Sequence, residues 1–219
     1  MVITRLVDGP AGGRALRRRV LQVRASAGWY ALALLAVPAT AVVLAVVVFG
    51  PPAATASTLL SALASGLLLQ TAVTFATTNL WEETAWMGFV QARLQARRGV
   101  LLAAVGTAAL FTLQHLPLLA ENGAGLVVIL PAGFALAIPF RALVAWLYNR
   151  TDSLFLVGLL HAAGDATAAA GFGGGLLQRL YEHHEVGLFA IGAEFLVGLA
   201  VIAGTRARLG VPARQPRPA

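Results

Sequence analysis

Cysteine and lysine are both absent from this chain, and charged residues of either sign are few. The absence of cysteine excludes disulfides, thiolate catalysis and cysteine-ligated zinc. Charged residues make up only 11% of the sequence, whereas hydrophobic residues make up 58%. This balance is typical of integral membrane proteins. We therefore expect one membrane-embedded domain.

The basic residues are distributed around the apolar runs. All 16 are arginine, and with 9 acidic residues they give a formal net charge of +7. Nine of them flank the first and the last apolar run, at Arg14, Arg17, Arg18, Arg19, Arg24, Arg206, Arg208, Arg214 and Arg217. Arginine next to apolar runs is typical of residues that set the orientation of membrane helices and contact lipid headgroups. We predict a lipid bilayer, and no nucleic acid, as the partner of these charges.

Six stretches carry the roughly 20 apolar residues that a membrane-crossing helix needs. They lie at about 29–49, 60–90, 99–120, 125–148, 153–175 and 186–204. The prediction is an all-α, polytopic transmembrane bundle of about six spans over residues 29–204. Residues 1–28 form a basic segment before it, and residues 205–219, rich in Arg and Pro, are expected to be disordered. The second stretch exceeds one span, so Ala53 to Ser65 is expected to form an interfacial helix or to tilt strongly.

The loop charges predict an orientation. In a six-span model both termini and the connections that carry Arg93, Arg97, Arg98 and Arg150 share one side, which we expect to be cytoplasmic. The arginine-only, alanine-rich composition is typical of GC-rich bacterial coding. We therefore expect a multi-pass protein of the bacterial inner membrane.

Ionisable residues interrupt three of the apolar stretches: Glu82 and Glu83, then His115, then His161 and Asp165. Such residues cost free energy in a bilayer and persist mainly where they have a function. Adjacent helix positions differ by about 100 degrees, so the two glutamates point in different directions. His161 and Asp165 are four positions apart and share a face.

The connection between the second and third stretches supports convergence of these groups. With a turn near Arg98 and Gly99, Glu82 and His115 lie almost equally far from it along two antiparallel helices. A carboxylate and imidazoles at one depth can hold a water molecule, polarise it and accept its proton. The pattern therefore favours a hydrolytic site within the membrane.

The three motifs resemble the signatures EExxxR, FxxxH and HxxxN or HxxxD of the CPBP family of membrane proteases. This family is also called the Abi or type II CAAX prenyl endopeptidase family. In this chain the motifs read EETAWM (82–87), FTLQH (111–115) and HAAGD (161–165). Their order, their spacing and their placement in apolar stretches agree with the family over roughly residues 60–175.

The resemblance implies a role for each matched residue in an intramembrane endopeptidase. Glu82 would activate water, His115 would help to hold it, and Glu83 would orient the site. His161 and Asp165 would stabilise the oxyanion. The family has been described both as metalloproteases and as glutamate-type enzymes, so no cofactor is assigned; if zinc binds, its ligands would be Glu82, His115 and His161. The implied partner is a peptide or protein substrate, such as a prenylated C-terminus or a leader peptide.

One position departs from the family pattern. Met87 stands where the family has arginine, four residues after Glu83 and on its face, so an ion pair within this helix cannot form. Glu83 then needs another partner or a proton. Arg141, an intramembrane charge in the fourth stretch, is the predicted replacement. The alternative is that Met87 marks a catalytically impaired scaffold or immunity protein.

Other readings of these residues remain open. The glutamates could end an interfacial helix, and each histidine could be an ordinary buried, hydrogen-bonded side chain. His183 and His184 are interpreted as part of a solvated loop. Glu194, inside the last apolar stretch, is expected to face the bundle, to pair with Arg141 or to mark a substrate path. A small transporter is a third function class, but we see no inverted repeat.

Overall fold

A computed structural model describes residues 2–117, 125–168, 174–182 and 184–211, and all regular elements within these ranges are helical. We number the helices in chain order. They are α1 (Val2–Val20), α2 (Ala27–Phe49), α3 (Ala56–Arg98), α4 (Val100–Gln114), α5 (Leu126–Thr151), α6 (Leu154–Thr167), α7 (Leu176–Leu180) and α8 (Gly187–Gly204). The predicted all-α class is confirmed. Parts of the predicted apolar stretches, loop and tail, at residues 118–124, 169–173, 183 and 212–219, lie outside the described ranges.

The six predicted apolar stretches correspond to α2, α3, α4, α5, α6 and α8. Four of them, α2, α3, α5 and α8, are long and apolar enough to cross a membrane. The other two are shorter, with 15 residues in α4 and 14 in α6. At a rise of about 1.5 Å per residue they measure about 22 and 21 Å, less than the roughly 30 Å of a hydrocarbon core.

The second apolar stretch forms one helix of 43 residues. Ala53 to Ser65 does not form a separate interfacial helix, because helical structure continues from Ala56 through Arg98. Three π-helical segments lie within α3, at Ala62–Leu69, Phe75–Asn79 and Trp86–Gln91. A π segment has wider turns than an α-helix and often occurs at functional sites. These segments change which residues of α3 face the rest of the bundle.

The shorter helix α6 lies at the centre of the bundle and packs against α2, α3 and α5. Nearly its whole surface is buried, including Leu154, Leu160 and Ala163. Elsewhere small residues allow close helix contacts, as expected inside a membrane. On α8, a Cβ atom added at Gly198 would lie 2.3 Å from the carbonyl oxygen of Pro139 on α5. The backbones of these two helices therefore touch directly.

The basic segment before the first span is itself a folded helix. Helix α1 is kinked at Gly9, whose φ is 71°, just before Pro10. Its last turns bury Leu16 and Val20 in the main core. Because two apolar side chains anchor it, α1 packs against the membrane domain at its arginine-rich end.

The segment after the last span was expected to be disordered from residue 205. Residues 205–211 instead form turns that pack on the bundle. Leu209 is fully buried, and the Asn149 side-chain amide donates a hydrogen bond of 2.8 Å to its carbonyl oxygen. An apolar anchor and a satisfied backbone group offset the entropy cost of ordering this segment. The arginine and proline content alone did not reveal that anchor.

Candidate active site

The two adjacent glutamates lie on α3 between its second and third π segments, on the α-helical stretch Leu80–Ala85. They face different environments, as predicted. Glu83 is completely buried, whereas the side chain of Glu82 retains 11% of its exposure. A completely buried carboxylate does not fit the interfacial reading, because it needs partners inside the protein.

Arg141 on α5 is the partner of Glu83, as predicted from the substitution at position 87. Its Nη1 donates to both carboxylate oxygens of Glu83, at 2.8 and 3.0 Å. The same guanidinium donates from Nε and Nη2 to Oε1 of Gln91, at 3.0 and 2.8 Å. Met87 is buried beside them in the apolar core. An arginine from a neighbouring helix thus binds the carboxylate that the family motif pairs within one helix.

The π segment Trp86–Gln91 explains how Gln91 reaches this pair. Gln91 lies eight positions after Glu83, which in an α-helix would turn it about 80 degrees away. The wider turns of the π segment reduce that offset. Both side chains therefore meet Arg141, and the Gln91 amide also donates to the Arg141 carbonyl oxygen at 3.1 Å.

Glu83 also binds His161 of the third motif. The His161 Nδ1 atom lies 3.0 Å from Oε1 of Glu83, and because the carboxylate only accepts, the Nδ1–H is the donor. The other ring nitrogen, Nε2, lies 3.9 Å from Oδ1 of Asp165. Asp165 in turn accepts a 2.7 Å hydrogen bond from the side-chain amide of Asn79. The first and third motifs are thus joined through Glu83 and His161.

Glu82 faces the second motif. Its Oε1 lies 3.9 Å from Nε2 of His115 and accepts a 2.8 Å hydrogen bond from Gln114. Gln114 is held by the indole N–H of Trp86, which donates to Oε1 of Gln114 at 2.5 Å. The His115 Nδ1 atom lies 2.8 Å from the Phe111 carbonyl oxygen, so Nδ1 carries the hydrogen. In the neutral ring Nε2 is then an acceptor that faces Glu82.

The aromatic ring of Phe111 lies between the two histidines. Its centroid is 4.2 Å from the His115 ring and 6.0 Å from the His161 ring. The Arg141 guanidinium lies 5.4 Å from the same ring. The Phe111 ring therefore lies between the Glu82–His115 pair and the Glu83–His161 pair.

Three further polar residues of this cluster were not predicted: Asn79, Gln91 and Gln114. Asn79 and Gln91 are completely buried, and each binds a charged side chain of the site. An amide inside an apolar helix is a weak signal, because it also occurs in ordinary helix contacts within membranes. Their spacing from the motifs did not single them out.

Pairing of Glu194 with Arg141 was one of the outcomes that the sequence suggested. In the structure Glu194, on α8, does not pair with Arg141. The donors of Arg141 are directed at Glu83 and Gln91. The Glu194 carboxylate lies instead against α6, where a Cβ atom added at Gly164 would be 2.4 Å from its Oε1. His184 of the predicted loop is exposed and packs 4.3 Å from the ring of Phe49, outside this cluster.

The candidate zinc ligands Glu82, His115 and His161 do not form a metal-binding group as they are placed. Within the ranges that the structure describes, no three His, Asp or Glu side chains are grouped so that they could hold a metal ion. His161 binds Glu83 through Nδ1, and its other ring nitrogen, Nε2, is directed at Asp165 and not at Glu82 or His115. A cavity of about 870 Å³ lies elsewhere, between α1 and the end of α3, and contains none of the predicted site residues.

The fold and the site place this protein in the class of helical membrane bundles with acidic and histidine side chains at the centre. Residues 64–167 match the family model described as Type II CAAX prenyl endopeptidase Rce1-like. The matched region contains all three motifs, and the match supports membership of the CPBP family, as the sequence resemblance indicated. The match and the apolar helices together indicate an integral membrane protein that is similar to CAAX-type proteases. No curated protein and no solved structure matches the chain.

Proposed function

We propose that this protein is an intramembrane endopeptidase that hydrolyses a peptide bond with water activated by Glu82. The observation that carries the proposal is the double binding of Glu83. Arg141 and His161 both contact this carboxylate, so the first and third motifs form one connected cluster despite the loss of the family arginine. A buried carboxylate bound by both an arginine and a histidine is costly in a membrane interior, where ionisable groups persist mainly when they have a function.

The facing acceptors of Glu82 and His115 support the water-activation step. A carboxylate oxygen and an imidazole nitrogen 3.9 Å apart can each accept one hydrogen of the same water molecule. The water oxygen then directs a lone pair at the substrate carbonyl carbon. As the oxygen–carbon bond forms, Glu82 takes the proton and the carbonyl oxygen becomes an oxyanion.

His161 and Asp165 are placed to act on that oxyanion. With Nδ1–H bound to Glu83, a hydrogen on Nε2, on the side of Asp165, would donate to the negative oxygen. When the intermediate collapses, the carbon–nitrogen bond breaks and the proton held by Glu82 passes to the leaving amine. Arg141 and Glu83 would fix the orientation of the His161 ring during these steps. We assign no step to a metal ion.

The substrate class follows from the family. We propose a peptide or protein that reaches the site from the lipid bilayer, such as one with a prenylated C-terminus or a leader peptide. The arginine-rich ends and apolar helices favour a membrane location, and the arginine-only, alanine-rich composition favours the bacterial inner membrane.

A cleavage assay in liposomes tests the proposal with the wild-type chain, Glu82→Gln and His115→Ala. Loss of a general base lowers rates by typically 10²- to 10⁴-fold, so we expect kcat to fall by about that factor in Glu82→Gln. Glu185→Gln is the matched control, because Glu185 is exposed and remote from the motifs. Far-UV circular dichroism would check that each variant folds.

Two results would contradict the proposal. Wild-type rates in a folded Glu82→Gln variant would remove this residue from the chemistry. A folded wild-type chain that cleaves none of a broad set of prenylated and unprenylated peptides would instead favour a non-enzymatic scaffold.

A further inference from the structure

Glu194 is an acidic residue in an apolar helix that the proposed mechanism does not use. It lies in the middle of α8, and its carboxylate packs on the α6 backbone at Gly164. Gly164 belongs to the third motif, directly before Asp165 and three positions after His161, so these positions share one side of α6. A larger residue at this position would displace the carboxylate from its place against α6.

Within the described part of the chain the Glu194 carboxylate forms no ion pair, although His161 attracts it and Asp165 repels it from a longer distance. The arginine and histidine ion pairs found there, within 4.0 Å, involve other carboxylates. The residue is nevertheless partly exposed, so another molecule can reach it. A carboxylate in a membrane interior is costly unless it is protonated or meets a positive charge.

The cluster around the third motif has more acceptors than donors. Asn79 donates to Asp165 through Nδ2, but its Oδ1 is buried and has no hydrogen-bond partner among the residues that the structure describes. Four carboxylates share the site with one guanidinium and two imidazoles: Glu82, Glu83, Asp165 and Glu194, with Arg141, His115 and His161. Even with both imidazoles charged, the net formal charge of these seven side chains is negative. The complementary ligand is a cation with N–H donors.

We infer that Glu194, together with Asp165, forms a subsite for a positively charged amino or guanidinium group of the peptide substrate, close to the bond that is cleaved. This inference rests on the proposed peptidase function and adds a substrate preference to it. A cationic group would form its ion pair only when the peptide binds, whereas a neutral group would cover the carboxylate and leave it unpaired. Sites of this kind discriminate strongly against a ligand that lacks the matching group.

The test compares peptides that differ only in charge. Each peptide carries lysine or its neutral counterpart norleucine at one position, scanned on both sides of the cleaved bond, with a free or an acetylated N-terminus. The full chain in liposomes should prefer lysine at one position by roughly 30-fold or more in kcat/KM, the range for a buried charge pair that loses one partner. If the preference is instead for the free N-terminus, the cationic group is the terminal amine.

Variants assign the preference to Glu194. In Glu194→Gln the ratio of lysine to norleucine kcat/KM should fall to near one, and Glu194→Asp should retain part of it. Glu185→Gln, which removes an exposed charge just before α8, should keep the wild-type ratio. The inference is overturned if wild type shows no charge preference at any position, or if Glu194→Gln slows both peptides by the same factor.

A binding measurement separates this inference from the proposed function. Fluorescent lysine and norleucine peptides are titrated into Glu82→Gln, with and without Glu194→Gln. A lower Kd for the lysine peptide that depends on Glu194 supports the subsite even if no peptide is cleaved. Equal Kd values for the two peptides would refute it, whatever the cleavage assay shows.

Discussion

Removing the Arg141 guanidinium should destabilise the bundle more than almost any other single charge removal. The side chain is completely buried and makes four hydrogen bonds, two to Glu83 and two to Gln91. Removing one partner of a buried ion pair costs about 3–5 kcal/mol, because the other charge is left uncompensated. We therefore expect Arg141→Gln to lower the free energy of unfolding by about that amount.

A double-mutant cycle isolates the pair from other effects of the substitution. Glu83→Gln alone should also destabilise, but the double variant should lose less than the sum of the two singles, since no lone charge remains. We expect a coupling of at least about 2 kcal/mol. The measurement is unfolding in mixed micelles with rising SDS, followed by far-UV circular dichroism and tryptophan fluorescence.

Arg150→Gln is the matched control on the same helix. Arg150 lies at the exposed end of α5, and exposed substitutions usually change stability by less than about 0.5 kcal/mol. Our reasoning would be refuted if Arg141→Gln behaved like this control, or if the two single effects simply added.

Moving the charge to another helix offers a second check. In Arg141→Met, adding Met87→Arg should restore part of the lost stability, because position 87 lies one turn from Glu83.

Two further predictions concern a helix contact and the site. Gly198→Ala should lower the free energy of unfolding by about 1–3 kcal/mol, because its new Cβ would lie 2.3 Å from a backbone oxygen that cannot rotate away. Gly192→Ala on the same helix is the control in the same unfolding assay and should change stability little, because the nearest atom to its Cβ is 3.8 Å away. Gln114→Leu should lower kcat about 10-fold with little change in stability, because Glu82 loses the 2.8 Å hydrogen bond from the Gln114 amide that positions it. An unchanged kcat in the liposome assay would show that this hydrogen bond has no role.

The positions of the helices and of the motifs could be predicted from the sequence, because they depend on local composition and spacing. A run of apolar residues must form a helix in a bilayer to satisfy its own backbone, whatever surrounds it. The i, i+4 spacing likewise puts His161 and Asp165 on one face before any neighbour is known. The missing arginine at position 87 even pointed to a substitute from another helix.

The partners within the site were decided by the tertiary structure. Arg141 and Glu83 are 58 residues apart, His161 and Glu83 are 78 apart, and Asn79 and Asp165 are 86 apart. Helical periodicity assigns a side chain to a face but does not say which helix packs there. The π segments of α3 add turns that no i, i+4 rule foresees, and they bring Gln91 to Arg141.

The sequence by itself determined that this is a helical membrane protein with four acidic residues and two histidines in its apolar stretches. The packing of α3, α5, α6 and α8 decided which charges meet: Arg141 binds Glu83, while Glu194 lies against Gly164 and forms no ion pair in the described residues. The physical reason is the low dielectric of the interior, where each charge needs a specific neighbour and the neighbours come from distant parts of the chain.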